Sequence, residues 1–337
     1  MKAVGLLSGG LDSTLAAELM VGQGIEVVAL KFTSPFCTCD QKDRCYAADV
    51  AERLGIPLIV IDKGKEYLQV IRNPKYGYGS GMNPCIDCRI FMFKKAKEVA
   101  EKAGASFIFT GEVLGERPMS QHRKALEIIE KEAALEGMVV RPLSAQLLPE
   151  TIPEQKGWVD RSKLLGIKGR SRKPQIELAA KLSIGDYPCP AGGCLLTYKE
   201  FASKVRDLFE HENEVSMRDI VLLKIGRHFR FAQNKIIVGR NEEENKRLLL
   251  WKHRSDYTFE VPDCGSPLTI LQGPKRNETI AIAAKLTARY SDAKGDEIVV
   301  KYGDEEHRNS IVVSRPDEDE TSRFGINIYQ MEIINED

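Results

Sequence analysis

The sequence predicts an α/β fold, a parallel-sheet domain followed by a smaller α+β domain, and three observations carry that reading. Apolar strand-like runs at 3–7, 25–32, 57–61 and 106–110 alternate with helix-patterned stretches at 13–21, 47–54 and 89–103. Such alternation calls for a parallel sheet covered by helices, with ligands bound beyond the carboxyl ends of the strands. The first strand runs through a Gly-Gly turn directly into the first helix, and the texture changes near residue 197.

Further along, a charged helical stretch at 124–136 leads to a fifth strand-like segment, Val139-Val140-Arg141-Pro142-Leu143, and an amphipathic helix is expected at 174–182. The two domains are placed at 1–197 and 198–337. In the second, helices are expected at 198–211, 242–253 and 280–290, and strands at 225–232, 235–238, 297–302 and 311–314. A Pro/Gly-punctuated stretch covers 261–272, and the acidic segments 316–320 and 335–337 read as loose.

The chain has 337 residues, with 49 Lys+Arg against 49 Asp+Glu, 42% hydrophobic and 29% charged. That composition fits about two soluble domains and excludes a disordered or collagenous chain. The start, MKAVGLLSGGLDS, has no small-residue cleavage site, and no apolar run approaches the ~18 residues of a membrane span. A cytoplasmic, membrane-free protein is expected. Eight cysteines in such a chain suit metal or redox chemistry better than a disulfide scaffold.

After the first strand stands Ser8-Gly9-Gly10-Leu11-Asp12-Ser13. Two glycines let the backbone approach an anion, while Ser8, Ser13 and the first helical N–H groups aim donors at it, helped by the helix dipole. A phosphate or pyrophosphate belongs there. The Lys of the GxxxxGK[ST] loop is missing and the spacing differs from GxGxxG. SGGLDS resembles the PP-loop of the ATP pyrophosphatases, HUP-type enzymes that split ATP between the α and β phosphates. The resemblance implies that Ser8, Gly9, Gly10, Asp12 and Ser13 hold the pyrophosphate, Asp12 through Mg²⁺, and that the backbone of Leu30, Lys31 and Phe32 meets adenine.

The fourth strand is followed by TGEVLGERPMSQ, beginning at Thr110 and Gly111 and ending at Gln121, dense in the small and polar groups that grip a nucleotide. It resembles the corresponding ATP-site segment of the tRNA 4-thiouridine synthetases of the ThiI type, and Arg141-Pro142-Leu143 stands where that family carries RPL. Those enzymes usually have an RNA-binding THUMP region before the PP-loop. Here the loop starts at residue 8, so RNA recognition is expected from the C-terminal half.

Cys85-Ile-Asp-Cys88 opens a helix, where thiol pKa values fall and two thiols can share one metal centre. Downstream lies Pro188-Cys189-Pro-Ala-Gly-Gly-Cys194. Its Gly-Gly pair leaves room for a bulky group, which favours Cys194 over Cys189 as third ligand. Thiolases of the PP-loop class resemble this pattern, with a CxxC and a distant Cys that either hold a [4Fe–4S] cluster or work as a persulfide and disulfide pair. The lack of a rhodanese-like extension favours the cluster. Cys37, Cys39 and Cys45 read as a separate group, a second metal site or a plain loop, and Cys264 as a packing residue.

RSKLLGIKGRSRKPQ at 161–175 has six basic residues and no acidic one, so Lys168, Arg170, Arg172 and Lys173 are candidate phosphate contacts. Arg227, Arg230 and Arg240 extend the RNA candidates, interleaved with Phe229 as RNA surfaces often are. VGRNEEEN resembles the core of the NFACT-R RNA-binding domain. The expected activity is ATP-dependent tRNA thiolation giving 4-thiouridine, with Asp12, Cys85, Cys88 and Cys194 catalytic and with sulfide or a persulfide carrier as donor. An oligomer is left open. The alternatives are 2-thiouridine synthesis, an amide-forming relative, or a nucleotide-switched RNA-binding protein.

Overall fold

Strand runs apolar on both faces need a covering layer on each side, and the structure provides both. In this computed structural model the described residues are 1–38, 44–185, 187, 193–304 and 309–326; Cys39, Cys189 and 335–337 lie outside them. The chain divides into two units, Met1–Tyr198 and Lys199–Asp337.

The first unit runs β1 (Lys2–Leu6), α1 (Leu11–Val21), β2 (Glu26–Thr33), α2 (Tyr46–Leu54), β3 (Leu58–Asp62), α3 (Gly64–Arg72), α4 (Cys85–Ala103), β4 (Phe107–Thr110), α5 (Arg123–Glu132), β5 (Val139–Val140), a short α6 (Ile152–Gln155) and α7 (Lys173–Lys181). Among the described residues its strands form one parallel sheet in the order β3-β2-β1-β4-β5. Alternation along each strand sorts the core. Ala3, Val27 and Phe107 pack with α1 and α2 on one face, and Val4, Val28 and Ile108 with α4 and α5 on the other.

Because β2 and β4 flank β1 on opposite sides, the loops leaving β1 and β4 part at the switch point of the sheet, where such folds bind ligands. The two loops touch. A Cβ on Gly111 would lie 2.5 Å from the backbone of Asp12 and Ser13, and Gly9, at φ +79°, lies equally close to the start of α2. Only glycine permits both approaches.

The second unit runs α8 (Lys199–His211), α9 (Met217–Leu222), β6 (Arg227–Phe231), β7 (Asn234–Val238), α10 (Glu242–Trp251), β8 (Tyr257–Glu260), β9 (Thr269–Gln272), α11 (Asn277–Arg289), β10 (Ile298–Gly303), β11 (Asn309–Val313) and α12 (Glu318–Phe324). Among the described residues its sheet has the antiparallel order β11-β10-β8-β9-β7-β6. One face is covered by α11, through Ile280, Ala283, Ala284 and Leu286; Leu222 and Leu248 from α9 and α10 pack on Ile237 and Ile270.

Three expectations need correction. The stretch 261–272 follows one strand, β8, and its last four residues form another, β9, with the Pro/Gly punctuation between them. The segment 63–72 contains a helix, α3, that the sequence reading passed over. The acidic segment 316–320 is not loose but starts α12. Asp317 accepts from the Glu320 N–H at 2.7 Å, and Glu318 and Glu320 pair with Arg289 and Lys285 of α11.

Substituting Gly111→Ala forces the β4 loop away from α1. The expected loss is about 1–3 kcal/mol of folding stability, the usual cost of overpacking, read as a lower urea midpoint with an unchanged slope.

Candidate functional site

The SGGLDS loop is stitched by its own hydroxyls. The Ser8 and Ser13 Oγ atoms lie 3.1 Å apart, Ser13 Oγ donates to the Gly10 carbonyl at 3.0 Å, and the Gly10 N–H reaches Ser8 Oγ at 3.3 Å. The loop opens on a cavity of about 620 Å³, within the size range of small-molecule sites. Ser8, Gly10, Asp12, Ser13, Leu30, Phe32, Thr110, Gly111 and Gln121 line it, all from the expected nucleotide set. β1 stops at Leu6 opposite Leu30, so β2 overhangs it as far as Thr33. Gly9 and Lys31 of that set are not in its lining, and the Lys31 side chain donates through Nζ to Cys45 Sγ at 3.1 Å.

The β4 loop is pinned by buried charge. Glu112 pairs with Arg141 at 3.1 Å and with Arg89 at 3.4 Å, and Arg141 also reaches Glu130. Gln121 closes the loop, its side-chain oxygen accepting from the Arg117 N–H and its carbonyl from the Gly115 N–H. Arg141 of the RPL segment therefore holds the loop that faces the nucleotide site.

Arg172, placed by the sequence among RNA contacts, sits in the cavity instead. The chain at 168–169 pairs alongside Leu114, which carries Arg172 to Glu116 at 2.5 Å and to within 3.7 Å of Asp12. Lys168, Arg170 and Lys173 stay exposed. Asp12 Oδ1 and Glu116 Oε2 are buried without a hydrogen-bond partner. Burial raises the pKa of Asp12 against the pull of Arg172, and burial together with the Asp12 charge raises that of Glu116. Two unpaired carboxylate oxygens beside a phosphate loop form a donor set for a hard divalent cation such as Mg²⁺. Glu116 carried no sequence signal beyond its place in the loop.

The thiols occupy the same cavity, whose lining includes Cys37, Cys85, Cys88 and Cys194. Cys85 and Cys88 lie in the first turn of α4; Cys85 donates to Ser120 Oγ at 3.0 Å. Cys88 accepts from the buried Lys63 Nζ at 3.2 Å, and that ammonium rests 4.4 Å from the centre of the Tyr67 ring. Burial alone would push the Cys88 thiol up, but the Lys63 charge and the Tyr67 and Lys63 hydrogen bonds hold it below the usual thiol value. Lys63 is raised despite its burial, by Cys88 and Cys37. Cys194 is pushed up to about 12 by burial. Lys63 and Tyr67, on the unrecognised α3 segment, are the functional candidates that sequence reasoning missed.

The grouping of Cys37 with Cys39 and Cys45 also changes. Cys37 lines the cavity while Cys45 faces Lys31, and Cys39 lies outside the described residues. The missing side chain of Gly193 makes room for Thr38, whose Oγ1 donates to the Gly193 carbonyl at 2.9 Å, rather than for a bulky group. Among the described residues no three His, Cys, Asp or Glu side chains come together to hold a metal ion. The donor set for a [4Fe–4S] cluster is therefore not assembled there: Cys85 is turned to Ser120 and Cys88 to Lys63.

In the second unit, Arg230 forms a two-pronged pair with Asp207 at 2.8 and 2.6 Å, and Arg227 lies 4.3 Å over the Tyr290 ring. Arg240 pairs with Glu244 in the turn capped by Asn241, its side chain half exposed. The first two of these side chains are occupied within the fold.

A parallel sheet of this strand order, with SGGLDS leading into α1, defines a PP-loop nucleotide-binding domain of HUP type, here joined to an antiparallel-sheet domain. More particularly, residues 1–147 match the family model described as thiamine biosynthesis protein (ThiI), and residues 226–324 that of the NFACT protein RNA binding domain. Each unit of the chain thus contains a stretch matched by a different family model. The tRNA-specific 2-thiouridylase MnmA of Acidithiobacillus ferrooxidans is 38% identical over 116 residues, covering 33% of each chain. The chain spans about a third of the length of that curated relative. Among solved structures, a 4-thiouridine synthetase–RNA complex with bound ATP aligns at 21% identity and TM-score 0.38, covering 66% of this chain and 52% of the other. The U34-tRNA thiolase NcsA of Methanococcus maripaludis, with its [4Fe–4S] cluster, aligns at 17% and 0.32, covering 66% and 70%. No helix of the described residues is long and apolar enough to cross a membrane.

Asp12 has its pKa raised on folding, so its contribution to stability is fully present below the unfolded value and is lost as pH rises through the folded one. Asp12→Asn is accordingly expected to melt at a higher temperature than the parent protein at neutral pH while losing Mg·ATP binding. Calorimetry with and without Mg·ATP checks both.

Proposed function

We propose that this protein is an ATP-dependent tRNA thiolase that adenylates a uridine carbonyl oxygen and replaces it with sulfur, with 4-thiouridine as product. The single observation that carries the reading is that one cavity brings together the SGGLDS loop, Asp12 and four thiols, Cys37, Cys85, Cys88 and Cys194. A nucleotide site alone would serve an amide-forming relative or a nucleotide-switched RNA-binding protein; neither needs thiols in the cavity wall.

Ser8, Ser13 and the N–H groups at the start of α1 receive the β and γ phosphates, and the helix dipole favours their charge. Asp12 and Glu116 would hold Mg²⁺, which supplies charge neutralisation of the departing pyrophosphate. Arg172, now balanced by those two carboxylates, becomes available to the phosphates once a cation takes its place. The uridine oxygen attacks the α phosphate and pyrophosphate leaves, which turns a poor leaving group into AMP. Cys88 is the sulfur-bearing thiolate. Its pKa is lowered, which favours the thiolate, and Lys63 and Tyr67 hold it in place. Sulfur reaches Cys88 as the sulfane sulfur of a persulfide carrier, whose own thiolate leaves, and the exposed Lys168, Arg170 and Lys173 are the RNA phosphate contacts of this unit.

To test this, the full chain is incubated with ATP, Mg²⁺, a persulfide donor and unmodified tRNA, and AMP, pyrophosphate and thionucleosides are measured. One AMP per thiouridine is expected, with 4-thiouridine rather than 2-thiouridine in the nucleoside digest. Pyrophosphate released without any thionucleoside sinks the reading in favour of another adenylating enzyme. Tight tRNA binding without pyrophosphate favours the nucleotide-switched alternative.

Two variants probe the assignments. Lys63→Met should raise the pH midpoint of Cys88 alkylation and slow thiolation tenfold or more, while leaving pyrophosphate release intact; an unshifted alkylation profile contradicts the Lys63 role. Replacing Lys168, Arg170 and Lys173 together with Ala should weaken tRNA binding and flatten its dependence on log salt by roughly 0.7–0.9 for each phosphate no longer neutralised. An unchanged slope removes these residues from the interface.

A further inference from the structure

Cys37 and Cys194 are far apart in sequence, yet they face each other directly. They form an antiparallel β-bridge, flanked by the Thr38 N–H to the Gly193 carbonyl at 3.2 Å and the Leu195 N–H to the Phe36 carbonyl at 2.9 Å. With the bonds on the flanking residues, the two cysteines form a non-hydrogen-bonded pair, the position where opposed Cα atoms come closest, about 4.5 Å, and side chains share one face. That separation lies at the near end of the range a disulfide spans, roughly 4.4–6.8 Å. Both residues line the cavity, and both are free thiols. The Gly193–Thr38 contact fixes the register of the bridge.

We propose that Cys37 and Cys194 are the resolving dithiol of this site, closing to a cross-strand disulfide when sulfur leaves Cys88. The proposal rests on the thiolation reading for its role, while the pairing itself rests on the bridge alone. The terminal sulfur of a Cys88 persulfide attacks the activated uridine carbon; the C–O bond breaks and AMP leaves, giving a mixed disulfide between Cys88 Sγ and the base sulfur. The Cys37 thiolate then attacks Cys88 Sγ. The bond to the base sulfur breaks and its electron pair departs with that sulfur, which becomes the thiocarbonyl. The Cys194 thiolate attacks Cys37 Sγ, expelling the Cys88 thiolate and forming the Cys37–Cys194 bond. Two thiols are oxidised, the transferred sulfur is reduced by the same two electrons, and the two thiol protons pass to solvent. An external dithiol reductant restores the pair for the next turnover. Cys88, the thiol stabilised as thiolate by Lys63, is the better leaving group, and the buried Cys194 the poorer one, so exchange runs toward a disulfide on Cys194.

The experiment uses the full chain in two arms. In the first, reduced protein is treated with diamide, alkylated and mapped by mass spectrometry without reduction. A Cys37–Cys194 cross-link is expected, reversed by dithiothreitol and absent in Cys37→Ser. A link from Cys194 to Cys85, Cys88 or Cys189, or alkylation of both partners, overturns the pair. In the second arm, persulfide-loaded protein receives ATP and tRNA without reductant and is quenched. The same cross-link accumulating in step with thionucleoside supports the resolving role; thionucleoside formed while both thiols remain alkylatable overturns it. A cross-link in the first arm with no thionucleoside or pyrophosphate in the second overturns the resolving role through failure of the thiolation reading, and leaves the pairing standing.

Discussion

The chemistry of this protein depends on one backbone contact, the seating of Gly111 against the first turn of α1. Parallel strands on either side of β1 send their loops in opposite directions, and a cleft forms only where the two loops diverge. If the β4 loop were to stand off by the width of a methyl group, Thr110 and Gln121 would leave the cavity shared with Ser8 and Asp12. The contact is held from behind by buried charge. Glu112 follows Gly111 and is gripped by Arg141 and Arg89, from the ends of β5 and α4. Removing Arg141 would leave a carboxylate buried with half its compensation, a defect that typically costs about 3–5 kcal/mol. The sheet, the loop and the ion pairs thus form one mechanical unit.

Much of this was legible in the sequence because parallel strands buried on both faces read as apolar runs. β1, β2, β3 and β4 lie within a residue or two of their expected bounds. What escaped notice was short or polar. α3 begins at a glycine and offers only Tyr67, Leu68 and Ile71 to the core, too brief a pattern to separate from a loop. Lys63 and Tyr67 were therefore invisible, since nothing in their spacing ties them to a cysteine 21 residues or more away. Proximity along the chain also misled. Cys37 and Cys45 sit eight residues apart and meet different partners, whereas Cys37 and Cys194, separated by most of the domain, are paired. Charge density misled in the same way at Arg172, which turns inward because its neighbours at 168–169 pair with the β4 loop.

The cavity carries two electrostatic environments. At the phosphate end, Asp12 and Glu116 share one guanidinium, that of Arg172, and retain unpaired oxygens. Both carboxyls are held above their ordinary pKa chiefly by burial, against the pull of Arg172 and Arg117, so a bound cation would offset the cost of burying their charge. At the thiol end the imbalance is reversed. Lys63 is buried, and its charge is answered by Cys88. A buried ammonium beside a thiol favours thiolate for the same reason that a buried carboxylate favours a metal, because an uncompensated charge in low dielectric is costly. On the proposed reading, the two ends would prepare opposite reagents, a neutralised leaving group and an anionic sulfur.

The second unit applies the same physics to stability. Lys235, Lys204 and His228 are pulled toward neutrality by burial, the two lysines to about 8, while Asp207 is held below its usual value against burial by Arg230 and Lys235. Asp207 is thus the anchor of a basic cluster inside the domain, and the charge of Arg230, an RNA candidate on sequence grounds, is consumed with that of Lys235 in folding it. Basic residues interleaved with aromatics on a strand alternate between two faces, so about half must point inward. On β6 both faces are covered: the neighbours His228 and Phe229 point to opposite faces and are both buried, and Arg230, though not fully buried, is drawn down by Asp207. Any RNA contact from this domain then falls to side chains outside that cluster, among them the half-exposed Arg240, whose position is fixed by Glu244 and by the Asn241 cap. Arg240 differs from Arg230 in exposure rather than in pairing: its partner Glu244 orders the side chain at the surface, which lowers the entropy cost of any contact made there.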